Sequence, residues 1–330
     1  MARGDGWFGA VGRPAFFALP PEASHRVALS LLGLPLPWER IGGAARADDL
    51  AVDLCGIQLP NPIGLAAGFD KGCRRLDALG RVGFGFVVGG TVTREPRAGN
   101  PKPRIARSTR SRAIVNAMGL PNPGAAAAAW NLARTSRTAP RFASVADEEL
   151  ADATATVELL GPHVDGLELN ASSPNAPWRH DPEHVGRLLH AIRDLTGRPL
   201  LLKLPPFRTF DEREEVTDLA RRAVDAGVGG LVCSNTFPVA DARLAAGRGG
   251  LSGGPLTDHT PRIVEDVAAA TGRSVPIVAS GGIFAPEDVR RSLEAGATAV
   301  QLYTGLIYRG PGIVGTLTKA LVGGTNRPAD

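Results

Sequence analysis

Lysine is almost absent from this chain. Only Lys71, Lys102, Lys203 and Lys319 stand among 37 cationic residues, so arginine serves wherever a surface charge suffices. Lys71 and Lys203 close apolar, strand-like runs, where a compact ammonium reaching a ligand differs from an arginine fork; the plainer reading is two surface cations. Cysteine is scarce too. Cys55, Cys73 and Cys233 are scattered and odd in number, with no C-x-x-C pair, which excludes a disulfide scaffold and a cysteine metal site. The start has no cleavable signal-peptide pattern, and a reducing cytoplasmic setting is the expectation. No run of about 18 apolar residues occurs, which excludes a spanning helix but not one lying on a membrane surface. A net charge of +4 with no basic block gives nucleic acid no hold.

What is present suits one large domain. With 330 residues, 43% of them hydrophobic, the chain fits a single α/β (β/α)8 (TIM) barrel with a small N-terminal helical extension better than two average domains. The extension covers residues 1–45. A helix is predicted from Pro21, carrying Val27, Ala28, Leu31 and Leu32 on one face and stopped by Gly33 and Pro35. Up to Arg46 it holds five basic and three acidic residues, which suits a weakly cationic interfacial helix or simply a cap on the barrel. From residue 46 to 330, after a short β-like stretch over Ala51 to Leu59, apolar runs alternate with helical stretches. The strand candidates are Ile63 to Ala66, Phe86 to Val88, Arg141 to Val145, Gly166 to Leu169, Leu200 to Leu204, Gly230 to Cys233, Ile277 to Ala279 and Ala299 to Leu302. The third lacks a clean apolar run, and Leu120 to Pro140 before it holds one convincing helix.

In a barrel, chemistry belongs to the loops after the strands' C-terminal ends. Those loops carry Ala66, Ala67, Gly68 and Lys71; Gly90 and Thr91; Asn170 to Asn175; Lys203; Ser234, Asn235 and Thr236; Gly281 and Gly282; and Tyr303, Thr304 and Gly305. Asp70 is the only acid read near this set, so paired carboxylates and metal ligands are not expected. Amides, hydroxyls and glycines with two ammonium groups suit a flat polar heteroaromatic ligand. S-G-G-I (Ser280 to Ile283) and Y-T-G (Tyr303 to Gly305) follow the last two strands, where barrels often hold a phosphate; equally, the glycines could serve tight turns. G-G-L-S-G-G (Gly249 to Gly254) is a third piece of that cradle or a flexible loop. In N-A-S-S-P-N (Asn170 to Asn175) two amides flank a serine, which alone is only a polar turn.

Taken together, these stretches resemble the dihydroorotate dehydrogenase family. The likeness is carried by N-P-I-G-L-A-A-G-F-D-K (Asn61 to Lys71), G-G-T-V-T (Gly89 to Thr93), G-N-P-K-P-R (Gly99 to Arg104), N-A-M-G-L (Asn116 to Leu120), N-A-S-S-P-N, L-K-L-P-P (Leu202 to Pro206), S-N-T (Ser234 to Thr236), G-G-L-S-G, S-G-G-I and Y-T-G. Serine rather than cysteine at Ser173, with R-P-x-x-F (Arg13 to Phe17) and P-E-x-x-H (Pro21 to His25), resembles the quinone-using class. The resemblance implies an FMN cofactor held by Ala66, Ala67, Gly68, Lys71, Thr91, Ser144, Asn170, Lys203, Ser234, Ser252, Gly253, Gly281, Gly282, Tyr303 and Thr304, with Lys203 beside the ring. It implies dihydroorotate, converted to orotate, held by Lys71, Asn116, Met118, Gly119, Leu120, Asn170, Asn175, Asn235 and Thr236. Ser173 would be the base; a hydroxyl is intrinsically a poor one and needs a relay. A membrane quinone would arrive under the N-terminal helix, placing the protein in the cytoplasm, peripheral on the inner face of the cell membrane. No metal and no nucleic acid are implied.

The pattern breaks at a few places. Ala117 and Leu120 stand where the family has Arg and Phe, Ala176 followed by Pro177 and Trp178 where it has a relay Thr, Ser144 where it has an Asn for the flavin, and Ser234 where it has Thr. These departures keep open a related flavin oxidoreductase with another small-ring substrate. Also open are an idle FMN- or phosphate-binding barrel and a non-redox barrel enzyme using Lys203 as a Schiff-base lysine.

Overall fold

A computed structural model describes residues 7–146, 149–170 and 183–324. Strands β1 (Val52–Leu54) and β2 (Ile57–Leu59) form an antiparallel hairpin at residues read as β-like. There follow β3 (Ile63–Leu65), β4 (Phe86–Val92), β5 (Ile105–Ser108), β6 (Ala113–Asn116), β7 (Arg141–Val145), β8 (Gly166–Asn170), β9 (Leu200–Lys203), β10 (Gly230–Cys233), β11 (Phe237–Ala240), β12 (Arg248–Gly253), β13 (Ile277–Ser280) and β14 (Ala299–Leu302). Strands β3, β4, β7, β8, β9, β10, β13 and β14 pair in that order, parallel, and close into a barrel. These are the eight expected strands. The weakest, β7, is nonetheless buried at all five positions. Its polar members have partners: Arg141 donates to His163 O at 2.7 Å, and the Ser144 and Thr91 hydroxyls lie 3.0 Å apart.

The helices are α1 (Arg13–Ala18), α2 (Pro21–Leu32), α3 (Trp38–Gly42), α4 (Leu76–Val82), α5 (Ala125–Arg134), α6 (Leu150–Leu160), α7 (Glu183–Leu195), α8 (Phe210–Asp225), α9 (His259–Ala270), α10 (Pro286–Glu294), α11 (Thr304–Arg309) and α12 (Ile313–Gly324). Because side chains alternate along a strand, each barrel strand feeds two cores. Leu65, Val87, Leu167, Leu200, Leu202 and Val300 face the helices. Phe86, Val88, Phe142, Leu201, Val232, Val278 and Ala299 fill the interior, closed below by Leu54 and Leu59 of the hairpin. Two glycines make room for its largest rings: a Cβ on Gly64 would stand 2.2 Å from Phe86, and one on Gly166 2.3 Å from Phe142. One inward step further along, the lining becomes polar with Ser144, Glu168, Lys203 and Gln301, all buried.

A second sheet was not legible in the sequence. Strands β5 and β6, from the excursion after β4, and β11 and β12, from the excursion after β10, form an antiparallel sheet in the order β11-β12-β6-β5. Gly249, Gly250, Ser252 and Pro238 have little intrinsic β preference. Pairing with a distant partner, Asn116 opposite Gly250, makes them strands. This sheet carries Asn116, Ser252 and Gly253 of the expected site.

The extension docks on β5. Helix α2 starts at Pro21 and ends before Gly33 as read, but its inner face is different. Leu32 is buried and Leu29 packs on the core, whereas Val27 and Leu31 are 42% and 38% exposed. The polar anchors explain the rotation. Arg104 donates to Glu22 at 3.0 and 3.2 Å, and Arg75 Nε donates to Leu29 O at 3.2 Å. Arg107 donates to Phe16 O and Phe17 O at 3.3 Å and to Leu19 O, which fastens the end of α1 to the barrel side. Its guanidinium also stands 4.5 Å from the Phe17 ring centre. No described helix is long and apolar enough to cross a membrane.

Phe142 and Phe86 meet edge to face at 5.8 Å between ring centres, and both are fully buried. Phe142→Ala should destabilise the fold by about 3–5 kcal/mol, seen as a lower chemical-denaturation midpoint. A loss under about 1 kcal/mol would mean the interior collapses around the gap.

Candidate active site

The mouth of the barrel opens into a cavity of about 1950 Å³ among the described residues. Ligand pockets usually measure about 300–1,000 Å³, so this one has room for more than one ligand. It runs from Lys203, Asn170 and Gln301 at the strand ends, past Asn116 and Ser252 of the second sheet, to Phe17, His25 and Leu29 of the extension.

Each side is built by a different element. At the strand ends, Lys203 Nζ lies 3.4 Å from Glu168 Oε1, and Gln301 Nε2 donates to Glu168 Oε2 at 2.9 Å. Asn170 donates to Thr91 Oγ1 at 3.3 Å, which ties β8 to β4, and the Thr91 hydroxyl in turn lies 3.0 Å from that of Ser144 on β7. On the opposite rim, the Ser252 and Thr304 hydroxyls are 2.9 Å apart. Gly253, Gly281 and Gly282 beside them have φ of 96°, 127° and 71°, so their backbone takes turns that side-chain-bearing residues rarely adopt. Their packing is equally demanding: a Cβ on Gly282 would sit 2.4 Å from Thr257 N. These glycines therefore serve tight turns, and they bring backbone without side chains to the cavity wall.

Between these rims, Lys71 Nζ donates to Gly68 O at 2.6 Å. Burial first, and the nearby Arg104 charge second, push its ammonium down to about 8. The His25 ring stands edge-on to Phe69 at 5.0 Å, and Phe69 to Tyr303 at 5.9 Å, so a line of rings joins the extension to the glycine-rich rim. Burial, and then the Lys71 charge, push His25 down to about 4, which leaves a neutral imidazole in the cavity wall at neutral pH. Burial pushes Tyr303 up to about 12. Among the described residues no group of three or more His, Cys, Asp or Glu could hold a metal ion.

This site belongs to a chain with close counterparts. A family model described as dihydroorotate dehydrogenase matches residues 49–323. The chain belongs to the dihydroorotate dehydrogenase family. Curated relatives named dihydroorotate dehydrogenase (quinone) include one from Erythrobacter litoralis, 38% identical over 94% of this chain and 93% of that protein. Another, from Chloroflexus aurantiacus, is 37% identical over 98% of each. A crystal structure of DHODH from Eimeria tenella in complex with ferulenol superposes with a TM-score of 0.80 at 29% identity, covering 93% of this chain and 92% of that one.

In this member of the family, the described residues expected to bind ligands line the cavity with one exception: Ala66, Ala67, Gly68, Lys71, Thr91, Asn116, Met118, Gly119, Leu120, Asn170, Lys203, Ser234, Asn235, Thr236, Ser252, Gly253, Gly281, Gly282, Tyr303 and Thr304. Ser144 is the exception. It is fully buried, and its hydroxyl lies 3.0 Å from that of Thr91, which lines the cavity. Ser173, Asn175, Ala176, Pro177 and Trp178 lie outside the described residues. Leu120 lines the cavity with φ +53°, held where Asn122 donates to its carbonyl at 2.9 Å.

Two groups escaped the sequence reading. Asp70 is not the only acid near the site, because Glu168 reaches Lys203 from inside the barrel. The inward period counted back from Asn170 would have found it, and Gln301 likewise by counting from Tyr303. The second group is Glu22, which lines the cavity on the extension's side and is paired with Arg104 at 3.0 Å.

Lys71 supplies a pH dependence with a definite sign. Its cation is present below about pH 8 and lost above it. Binding of a small anionic ligand should therefore weaken as pH rises past about 8, by roughly tenfold per unit for a single proton. Lys71→Met should abolish that limb in a titration of affinity against pH; an unchanged limb would assign it to another group.

Proposed function

We propose that this chain oxidises dihydroorotate to orotate and passes the electrons to a membrane quinone, with FMN as the resident cofactor. The observation that carries the reading is the single cavity joining the strand ends to the extension, large enough for ring cofactor, substrate and acceptor together. The residues present fit FMN. Among the described residues Gln301 Oε1 is buried without a hydrogen-bond partner, and a native interior rarely leaves such an acceptor unmatched. Lys203 brings a cation to the same layer, and Ser252, Thr304 and the three glycines supply hydroxyls and close backbone for a phosphate. When bound, FMN supplies hydride acceptance and the onward transfer of two electrons.

The chain's own residues would do the rest. Asn116, Asn170 and Asn235, from three different elements, present amides suited to a ring that alternates donors and acceptors. Lys71 would attract the substrate carboxylate, and Ser173 would take the proton from the substrate ring. Residues 1–45 would act as the quinone-side extension and residues 46–330 as the FMN barrel. Trp7, Val11, Leu34 and Leu36, exposed on the extension, suit contact with lipid, and the protein would sit in the cytoplasm on the inner face of the cell membrane. Leu120 at the cavity wall favours a second reading, a related flavin oxidoreductase acting on another small ring.

Anaerobic mixing of the FMN-loaded protein with dihydroorotate should bleach the flavin, and Ser173→Ala should slow that bleaching by about 100-fold or more, as loss of a general base does. A loaded protein left unbleached by dihydroorotate would move the assignment to the second reading. Removing residues up to Leu34, which leaves the buried Trp38 in place, should impair quinone turnover far more than flavin reduction by substrate. Equal impairment of both half-reactions would remove the extension from the quinone's path.

A further inference from the structure

Glu168 stands two residues before Asn170 on β8, on the same inward side, and is fully buried. Both of its oxygens are engaged, Oε1 near Lys203 Nζ at 3.4 Å and Oε2 by Gln301 Nε2 at 2.9 Å. Lys203 is on the neighbouring strand β9, but β14, which carries Gln301, is on the opposite wall, so the network spans the barrel. Lys203 and Gln301 line the cavity; Glu168 lies behind them, next to the apolar interior. Barrels usually fill such layers with branched apolar side chains. An ion pair held away from water is often less stabilising than apolar residues of the same volume, so packing alone gives no reason for a carboxylate here.

We infer that Glu168 is the fixed counter-charge of Lys203, a positioning residue that holds the ammonium at the cofactor-facing end of the barrel and partly offsets its field. The inference rests on the FMN reading and deepens it. Reduction places negative charge on the flavin ring, and a preorganised cation beside it favours that state. A carboxylate just behind the cation weakens the effect, because the ring feels the difference of two Coulomb terms. The pair, rather than the lysine alone, then sets how readily the bound flavin accepts electrons. Gln301 keeps the carboxylate from following the ammonium toward the cavity.

The test is the midpoint potential of the flavin in the full-length, flavin-loaded protein, by spectroelectrochemical titration. Glu168→Gln should shift the equilibrium toward reduced flavin by about tenfold, a rise of about 30 mV for a two-electron couple. Lys203→Met should shift it the opposite way, and the double variant should fall between the two single ones. Glu168→Asp keeps the charge but draws it back by one methylene. It should move the potential upward by less, and it stands in if Glu168→Gln does not retain flavin. An unchanged potential in the Glu168 variants, with flavin bound, overturns the inference, and so does a fall, which would mean that the carboxylate only steers the lysine. Purified protein without flavin absorbance would remove the FMN reading and this inference together, whereas an unmoved potential leaves the FMN reading standing.

Discussion

The two-residue period of the barrel strands governs this molecule. Along β7, β8, β9 and β14 the inward positions pass from Phe142, Leu201 and Ala299 to Ser144, Glu168, Lys203 and Gln301 within one step of the pleat. Below that level the interior is filled; above it lies the cavity. Because the barrel is closed and parallel, all strand ends face the same mouth, and residues far apart in the chain converge there without long loops. Slipping any of these strands by one residue would exchange its inward and outward sets, putting Lys203 among the helices and Leu202 in the site.

The second sheet and the extension are consequences of that open mouth. A ring of strand ends presents polar groups and an unfilled hollow, and the excursions after β4 and β10 pair over it, bringing Asn116 to Gly250. The extension then covers the remaining side, held less by its apolar face than by arginines from the barrel side. Arg104 meets Glu22 on half-buried ground; burial raises the Glu22 carboxyl, but Arg104 and Lys102 outweigh it and hold the group below the usual carboxylate range. With α2 turned to satisfy these contacts, Leu29 and Leu32 point inward and Val27 and Leu31 are left outside.

Much of this was legible. Seven of the eight barrel strands follow from short apolar runs ended by polar residues, β7 is placed without a clean run of its own, and α2 follows from Pro21 and Gly33 at its ends. The lysine scarcity pointed at Lys71 and Lys203, and both line the cavity. The reading failed where a residue's environment comes from elsewhere in the chain. Glu168 in G-L-E-L looks like an exposed acid until its strand is closed between β7 and β9.

By itself, then, the sequence determined the fold class, the order of the strands, the loops that carry chemistry and most residues that line the site. Local apolar periodicity and turn chemistry encode these directly, over windows shorter than one βα unit. Only the tertiary structure decided which side of each strand meets the ligand space, that two glycine-rich excursions become one sheet, and that a carboxylate lies behind Lys203. These depend on closing a ring of strands and on partners far apart in the chain, such as Ser252 and Ile114, 138 residues apart, and no local pattern specifies the environment that such closure creates.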